Sequence, residues 1–408
     1  MSPLLPFEWL AALRFLRDGR TQTSLVVAGV ALGVAVITFM SALLSGLHAN
    51  IVRRTLTYQA QIVVSAPEEI ARPVRDPGPA LAASLAQPRA QRLRSVDQWQ
   101  RVTEAIVRLP GVAAVAPVVS GPALALRGDA TNAVTVIGID PASYLRVIAI
   151  GDKIVAGTAE VGASGTIVGT ELAHDLGVTL GDRLRLATAA GNAQVLEVVG
   201  VFDFGNKGVN ERNVYVPLHI AQSLLGLAGG VSAIEVNLDD PFDADRVADV
   251  IHDQTGMTAD SWIRTNAQFF QAIAAQKLSN TFIRFFVALT AALGIASVLV
   301  VSVVQKAREI GILRAMGTSR GQVVRIFLIE GALMGLAGSL VGSFGGSLFL
   351  DFWRGVARNP DGTPMFAVSF EPILFVYAAV GATLVGTMAA IAPALRAAAL
   401  DPAITIRG

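Results

Sequence analysis

Residues 317–321, Gly317-Thr318-Ser319-Arg320-Gly321, spell G-x-S-x-G, the pattern of a serine nucleophile on a sharp turn. That chemistry needs a strand before the serine, and a histidine and an acid beside it. Here the preceding residues read as helix, and His48, His174, His219 and His252 lie elsewhere in the chain. Asp239, Asp240, Asp243, Asp245 and Asp249 gather carboxylates as a calcium loop would, but without the glycine and terminal glutamate of an EF-hand. A strand, a turn at Pro241 and a helix capped by Asp243 or its neighbour explain them more simply. The histidines show no H-E-x-x-H or H-x-x-x-H spacing for zinc, and no G-x-x-x-x-G-K-[ST] loop cradles a nucleotide. Without cysteine there is no disulfide framework and no thiolate. No catalytic residue, metal ligand or cofactor-binding residue is expected, and the chain does not read as an enzyme.

What must be positioned instead is a basic stretch, residues 305–325, QKAREIGILRAMGTSRGQVVR, which opens with Lys306, Arg308, Arg314 and Arg320 against the single acid Glu309. Long apolar runs flank it. The whole chain is 53% hydrophobic and 15% charged, far from the roughly 25% charged residues of soluble domains. Its net charge of +1 hides an asymmetry, because residues 57–275 hold 16 Lys and Arg against 23 Asp and Glu, a net of −7 that leaves +8 elsewhere.

Residues 1–20 include an amphipathic helix, with Phe7, Leu10, Ala11, Leu13 and Leu16 near one face and Arg14, Arg17 and Arg20 towards the other. The first span and its extension take 21–56. Its charge-free run exceeds the roughly 20 residues that cross a bilayer and the roughly 7–15 of a signal peptide, so it is expected to be retained. Further spans are expected within 276–304, 326–350 and 372–394, with a short outer loop at 351–371 and a tail at 395–408. Gly29 and Gly33 on the first span, and Gly338, Gly342 and Gly346 on the third, are expected helix-packing positions, since small residues four apart let helices approach closely. Glu330 is the single acid in the third span, suited to a bond to a neighbouring helix, to the interface or to a function.

Residues 57–275 carry no such run and read as a large α+β domain. Strands are expected at 61–65, 112–119, 133–139, 166–168, 183–187, 195–201, 213–216 and 233–238, and helices at 97–109, 170–176, 218–225 and 243–255. Residues 66–95, rich in Pro, Ala and Arg, read as an extended insertion. Lys and Arg favour cytoplasmic loops, so the amino end and 305–325 belong inside, the acidic domain outside, and the carboxyl end inside again. The histidines then lie across the membrane from Ser319.

One span, a large external domain, then three spans with REIGILRAMGTSRGQVVRIFLIEG and a closing ALRAAALDP resemble the permeases of the MacB/LolC/LolE/FtsX superfamily of ABC transporters. Arg308-Glu309-Ile310-Gly311 and Ala315-Met316-Gly317 match that family's ATPase-contacting element. Ala221-Gln222-Ser223-Leu224-Leu225-Gly226, Gly230-Val231-Ser232 and Asp239-Asp240-Pro241-Phe242, with Trp262, Asn266, Phe269 and Phe270, are similar to the lipoprotein-releasing LolC/LolE branch.

The resemblance implies four transmembrane helices plus an extracytoplasmic domain with a MacB-like porter part and a strand-rich part near 120–230. It implies a bacterial inner-membrane location, a second permease copy, identical or not, and an ABC ATPase that binds ATP and magnesium in place of this chain. Coupling would fall to Lys306, Arg308, Glu309, Ile312, Ala315, Met316 and Gly317, with Ile312, Ala315 and Met316 as a compact apolar face. The implied work is extraction of lipoproteins or other lipids from the inner membrane. The alternatives are MacB-like export of a peptide, toxin or glycolipid, and FtsX-like signalling to cell-wall hydrolases. Nucleic acid is not among the expected partners. Where the carrier-recruiting branch member has a long Pro-bearing hook, this chain has only Ala189-Ala190-Gly191-Asn192, which leaves a periplasmic carrier, a hooked second permease or a membrane-fusion adaptor open as the next partner.

Overall fold

The computed structural model describes residues 6–67, 93–356 and 372–400. Most of the 66–95 insertion, the 351–371 loop and the carboxyl-terminal tail therefore lie outside the described residues. The chain forms two units, one of residues 1–51 and 271–408 and one of residues 52–270.

The first unit is helical. α1 (Phe7–Asp18) leads into α2 (Arg20–Tyr58), and the remaining long helices are α10 (Ala267–Gln305), α12 (Arg320–Val356) and α13 (Pro372–Ala399), with α11 (Ala307–Ala315) between α10 and α12. α2, α10, α12 and α13 are long and apolar enough to cross a membrane. Hydropathy marks the stretch that suits hydrocarbon, whereas the helices run on past it. α2 and α10 each have 39 residues, about 58 Å of helix at 1.5 Å per residue, against about 30 Å of hydrocarbon.

Small residues decide the packing. A Cβ on Gly338 would stand 2.5 Å from Val30 Cγ1, one on Gly342 would strike the Ala31 carbonyl, and one on Gly346 would lie 3.1 Å from the Ala35 carbonyl, so these three glycines seat α12 on α2. Gly33 meets α10 in the same way, 2.6 Å from Val287 Cγ1. Gly29 does not. It is exposed, with nothing within 4 Å of its would-be Cβ, because the buried stripe of α2 runs through Val30, Ala31, Val34 and Thr38. Gly331 and Gly335 add a contact with α13 that the four-residue glycine ridge did not announce. α1 buries Ala12 and Phe15 in the core of this unit, Phe15 beside Phe327, and leaves Phe7, Leu10 and Leu13 exposed.

The second unit is α+β. Its strands among the described residues are β1 (Ile62–Ser65), β2 (Val112–Arg127), β3 (Ala130–Ile139), β4 (Ile154–Gly157), β5 (Gly165–Gly169), β6 (Arg183–Ala187), β7 (Ala193–Phe202), β8 (Asn213–Pro217), β9 (Ala233–Leu238) and β10 (Thr258–Ser261). Its helices are α3 (Trp99–Val107), α4 (Pro141–Tyr144), α5 (Thr170–Leu176), α6 (Lys207–Arg212), α7 (Leu218–Leu224), α8 (Ala244–Thr255) and α9 (Trp262–Thr265). β10, β1, β9 and the first half of β2 make an open antiparallel sheet. The second half of β2 pairs with β3 on one side and β6 on the other, and the order β2-β3-β8-β5-β7-β6 returns to β2, which closes a barrel. Closure removes free edges. Alternate residues fill the inside, among them Val134, Val136, Leu184, Leu186, Leu196 and Val198. This barrel is where the strand-rich part was expected.

Candidate coupling surface

α11 is one short helix with two different faces. The break before it falls at Lys306 (φ −101°, ψ 12°), and Ile310 N–H reaches back to the Lys306 carbonyl at 2.9 Å to start the new helix. At its far end Gly317 has φ +104°, a backbone state that favours glycine, and Thr318 N–H closes on the Leu313 carbonyl at 3.1 Å. α12 then starts with a reciprocal cap. Ser319 N–H donates to Gln322 Oε1 at 2.9 Å, and Gln322 N–H donates to Ser319 Oγ at 3.2 Å. The G-x-S-x-G stretch is thus a helix stop followed by a helix start, and Ser319 is a cap.

Ile310 and Gly311 are buried, Ile310 in the cluster that α1, α12 and the end of α13 also fill. Two cations fasten the helix at its ends. Lys306 is only 8% exposed; its Nζ donates to the Phe15 carbonyl at 2.8 Å, lies 4.2 Å from the Phe15 ring centre and 3.9 Å from Asp18 Oδ2. Arg314 Nη1 donates to the Ala398 carbonyl at 3.1 Å and also to the Leu400 carbonyl, satisfying acceptors that the end of α13 leaves free. Lys306 thus joins α11 to α1, with its ammonium turned inward, away from the exposed face of the helix.

Arg308, Glu309, Ile312, Ala315, Met316 and Gly317 are exposed, with Ile312 at 44% and Met316 at 72%. Sequence reasoning treated Arg314 as one more topogenic charge and missed its capping role, although a basic residue in the last turn of a helix is a recognisable signal. It also missed Phe15. Glu330 is 2% exposed, and its Oε2 has no hydrogen-bond partner.

Asp240, Asp243, Asp245 and Asp249 of the acidic cluster are engaged in ion pairs, caps and hydrogen bonds. Asp240 Oδ1 accepts from Phe242 N–H at 2.9 Å, Arg246 holds Asp243 at 2.9 Å and Arg264 holds Asp249 at 2.7 Å, while Asp245 accepts from Ser261. Trp262 packs edge-on against Phe242 and Phe270, and its indole N–H donates to the Pro241 carbonyl at 2.7 Å. Asn266 Nδ2 donates to the Trp262 carbonyl at 2.7 Å.

The model of the MacB-like periplasmic core domain matches residues 23–254, and that of the FtsX-like permease C-terminal matches residues 281–402. The chain is 26% identical to the lipoprotein-releasing system transmembrane protein LolC of Neisseria meningitidis over 82% of this chain and 79% of that protein. It is 24% identical to the corresponding LolE of Haemophilus influenzae over 92% of this chain and 91% of that one. Among solved structures, the periplasmic region of MacB from Actinobacillus actinomycetemcomitans matches 53% of this chain and 95% of its own length, at 12% identity and a TM-score of 0.35. Four apolar helices, a strand-rich external domain and these two matched regions define a membrane permease of the ABC-transporter class. The chain belongs to the MacB-like family of ABC-transporter permeases with an FtsX-like C-terminal region.

Proposed function

We propose that this permease carries the stroke of a partner ATPase across the bacterial inner membrane to extract lipoproteins, or another lipid-anchored cargo, towards the outer membrane. The observation that carries the reading is α11: an exposed face of Arg308, Glu309, Ile312, Ala315 and Met316 on a helix whose ends are fastened by Lys306 and Arg314. A loosely held loop would absorb a push, whereas this helix passes it to α1 and α13. ATP and magnesium belong to the ATPase. The amino and carboxyl ends lie in the cytoplasm with α11, the large domain lies in the periplasm, and two permease copies act with two ATPase subunits. Likeness to LolC and LolE over both units supports the cargo class.

The test is purification of the tagged chain in mild detergent, with mass spectrometry of the proteins and lipids that come with it. An ATPase together with acylated proteins is the expected result, and a second permease in the complex would make the assembly a heterodimer. An ATPase with a wall-hydrolase activator and no acylated cargo would overturn the extraction reading. Absence of any ATPase would overturn the coupling role of α11.

A further inference from the structure

α1 and the start of α2 form an open groove of about 520 Å³. Leu13 and Leu16 of α1 and Val27 of α2 make its apolar wall, and Arg17, Arg20, Thr23 and Ser24 also line it. Its hydroxyl protons are engaged within the chain. Ser24 Oγ donates to the Thr21 carbonyl at 2.9 Å, and Thr23 Oγ1 donates to the Leu16 carbonyl at 3.4 Å. The two arginines are different. Both are exposed, and among the described residues neither guanidinium has a hydrogen bond or an ion pair. Asp18, the acid between them in sequence, lies 3.9 Å from Lys306 Nζ instead.

Depth narrows the occupant. Arg20 is the last charged residue before the charge-free run from Thr21 to Leu47, so the guanidiniums stand at a membrane boundary, and Val27 lies about 10 Å further along the helix, on the hydrocarbon side. The boundary is the one beside α11, because Lys306 bonds the Phe15 carbonyl of α1. α1 leaves Phe7, Trp9, Leu10 and Leu13 exposed, the aromatic and aliphatic surface of a helix lying in such a boundary. Charge narrows it again. A guanidinium stays charged and matches a phosphate in shape as well as sign. A free phosphate would engage the two arginines and leave the apolar wall bare, whereas a phospholipid engages both, with its phosphate at the rim and an acyl chain against Val27.

We propose that the α1–α2 groove binds one anionic glycerophospholipid of the leaflet on the α11 side, its phosphate between Arg17 and Arg20 and an acyl chain along Leu16 and Val27. The lipid ties α1 to α2 and so steadies the Phe15 carbonyl to which Lys306 donates. The site needs no nucleotide and no cargo, so it stands or falls separately from the transport reading.

The full-length chain in mild detergent, titrated with phosphatidylglycerol and with phosphatidylcholine of the same acyl chains and read by native mass spectrometry, tests it. Wild type is expected to hold one phosphatidylglycerol about tenfold more tightly than phosphatidylcholine, the scale of one charge-assisted hydrogen bond. Arg17→Gln and Arg20→Gln should each lower that preference about threefold and together abolish it. Arg14→Gln removes an equal charge from α1 at an exposed position that does not line the groove, so the preference should survive it. Ser24→Phe, which fills the groove and leaves both cations, should lose the tightly held phosphatidylglycerol while the helical circular dichroism is kept. No preference in wild type, a preference that survives the double change, an equal loss on Arg14→Gln, which would mark a diffuse charged face, tight binding that survives Ser24→Phe, or displacement of the lipid by inorganic phosphate at equal concentration would each overturn the proposal.

Discussion

The two units of this chain use large apolar side chains in opposite ways. In the external unit they are inside: Trp262, Tyr215, Phe202, Ile62 and Leu184 are among the largest fully buried side chains. In the helical unit Phe285, Phe286, Phe344, Phe349 and Phe352 point outward, and α12 is seated on its neighbours by glycines and serines. Water makes burial of apolar surface the driving force for the first, whereas lipid is as apolar as the side chains, so close backbone approach drives the second. Phe202 is therefore core in the external unit, whereas in the helical unit a few phenylalanines, Phe15 and Phe327 among them, are buried and many face outward.

That contrast can be broken at several points. Trp262→Ala should cost about 3–5 kcal/mol, from lost burial and a lost indole hydrogen bond, and denaturant titration of the protein should show the external unit melting first. In the helical unit the damaging change is enlargement. Gly342→Leu should destabilise by about 3 kcal/mol or more, since its side chain would meet the Ala31 carbonyl, and it would appear as loss of the monodisperse peak in detergent; Phe344→Ala, outward on the same helix, should leave that peak intact.

Glu235 sharpens the picture of the external unit. Burial pushes its carboxyl up to about 7, so the folded state holds that proton more tightly than the unfolded state does. Stability is then fully present below the ordinary glutamate range, falls as pH rises towards 7 and stays lower above it. Glu235→Gln should raise stability at pH 8 by about 1–2 kcal/mol, discounted for its partial exposure, and change little at pH 4, read as the difference between two thermal melts. The smallest expected effect on stability is Met316→Ser, within about 0.5 kcal/mol because the side chain is exposed; its readout is ATPase binding, which should weaken. Tight binding by that variant would remove Met316 from the contact face.

Much of the architecture was legible because it follows from periodicity. β6, β9 and α5 occupy the residues that alternation and capping marked. β2 runs on past its expected end at Val119, with Gly121 and Pro122 still paired to Val136 and Thr135 of β3. β4 and β10 were missed, being four residues each and without a long alternating signal. α11 lies where charge and apolar spacing placed a short helix, but which of its cations turns inward was not legible, because Phe15 and the end of α13 are remote in sequence from Lys306 and Arg314. Gly29 illustrates the same limit, since a small residue allows contact without supplying the neighbour.

β2 has a mechanical meaning. Its 16 residues, about 53 Å if fully extended, serve the open sheet through the first half and the barrel through the second without a break. The β9 ladder ends at Val118 and the β3 ladder begins at Val119, so one continuous strand joins the two parts with no loop between them. Motion of the sheet relative to the barrel is therefore passed along the covalent backbone of a single strand, and the step between Val118 and Val119 is the place where the two parts can pivot without breaking a ladder.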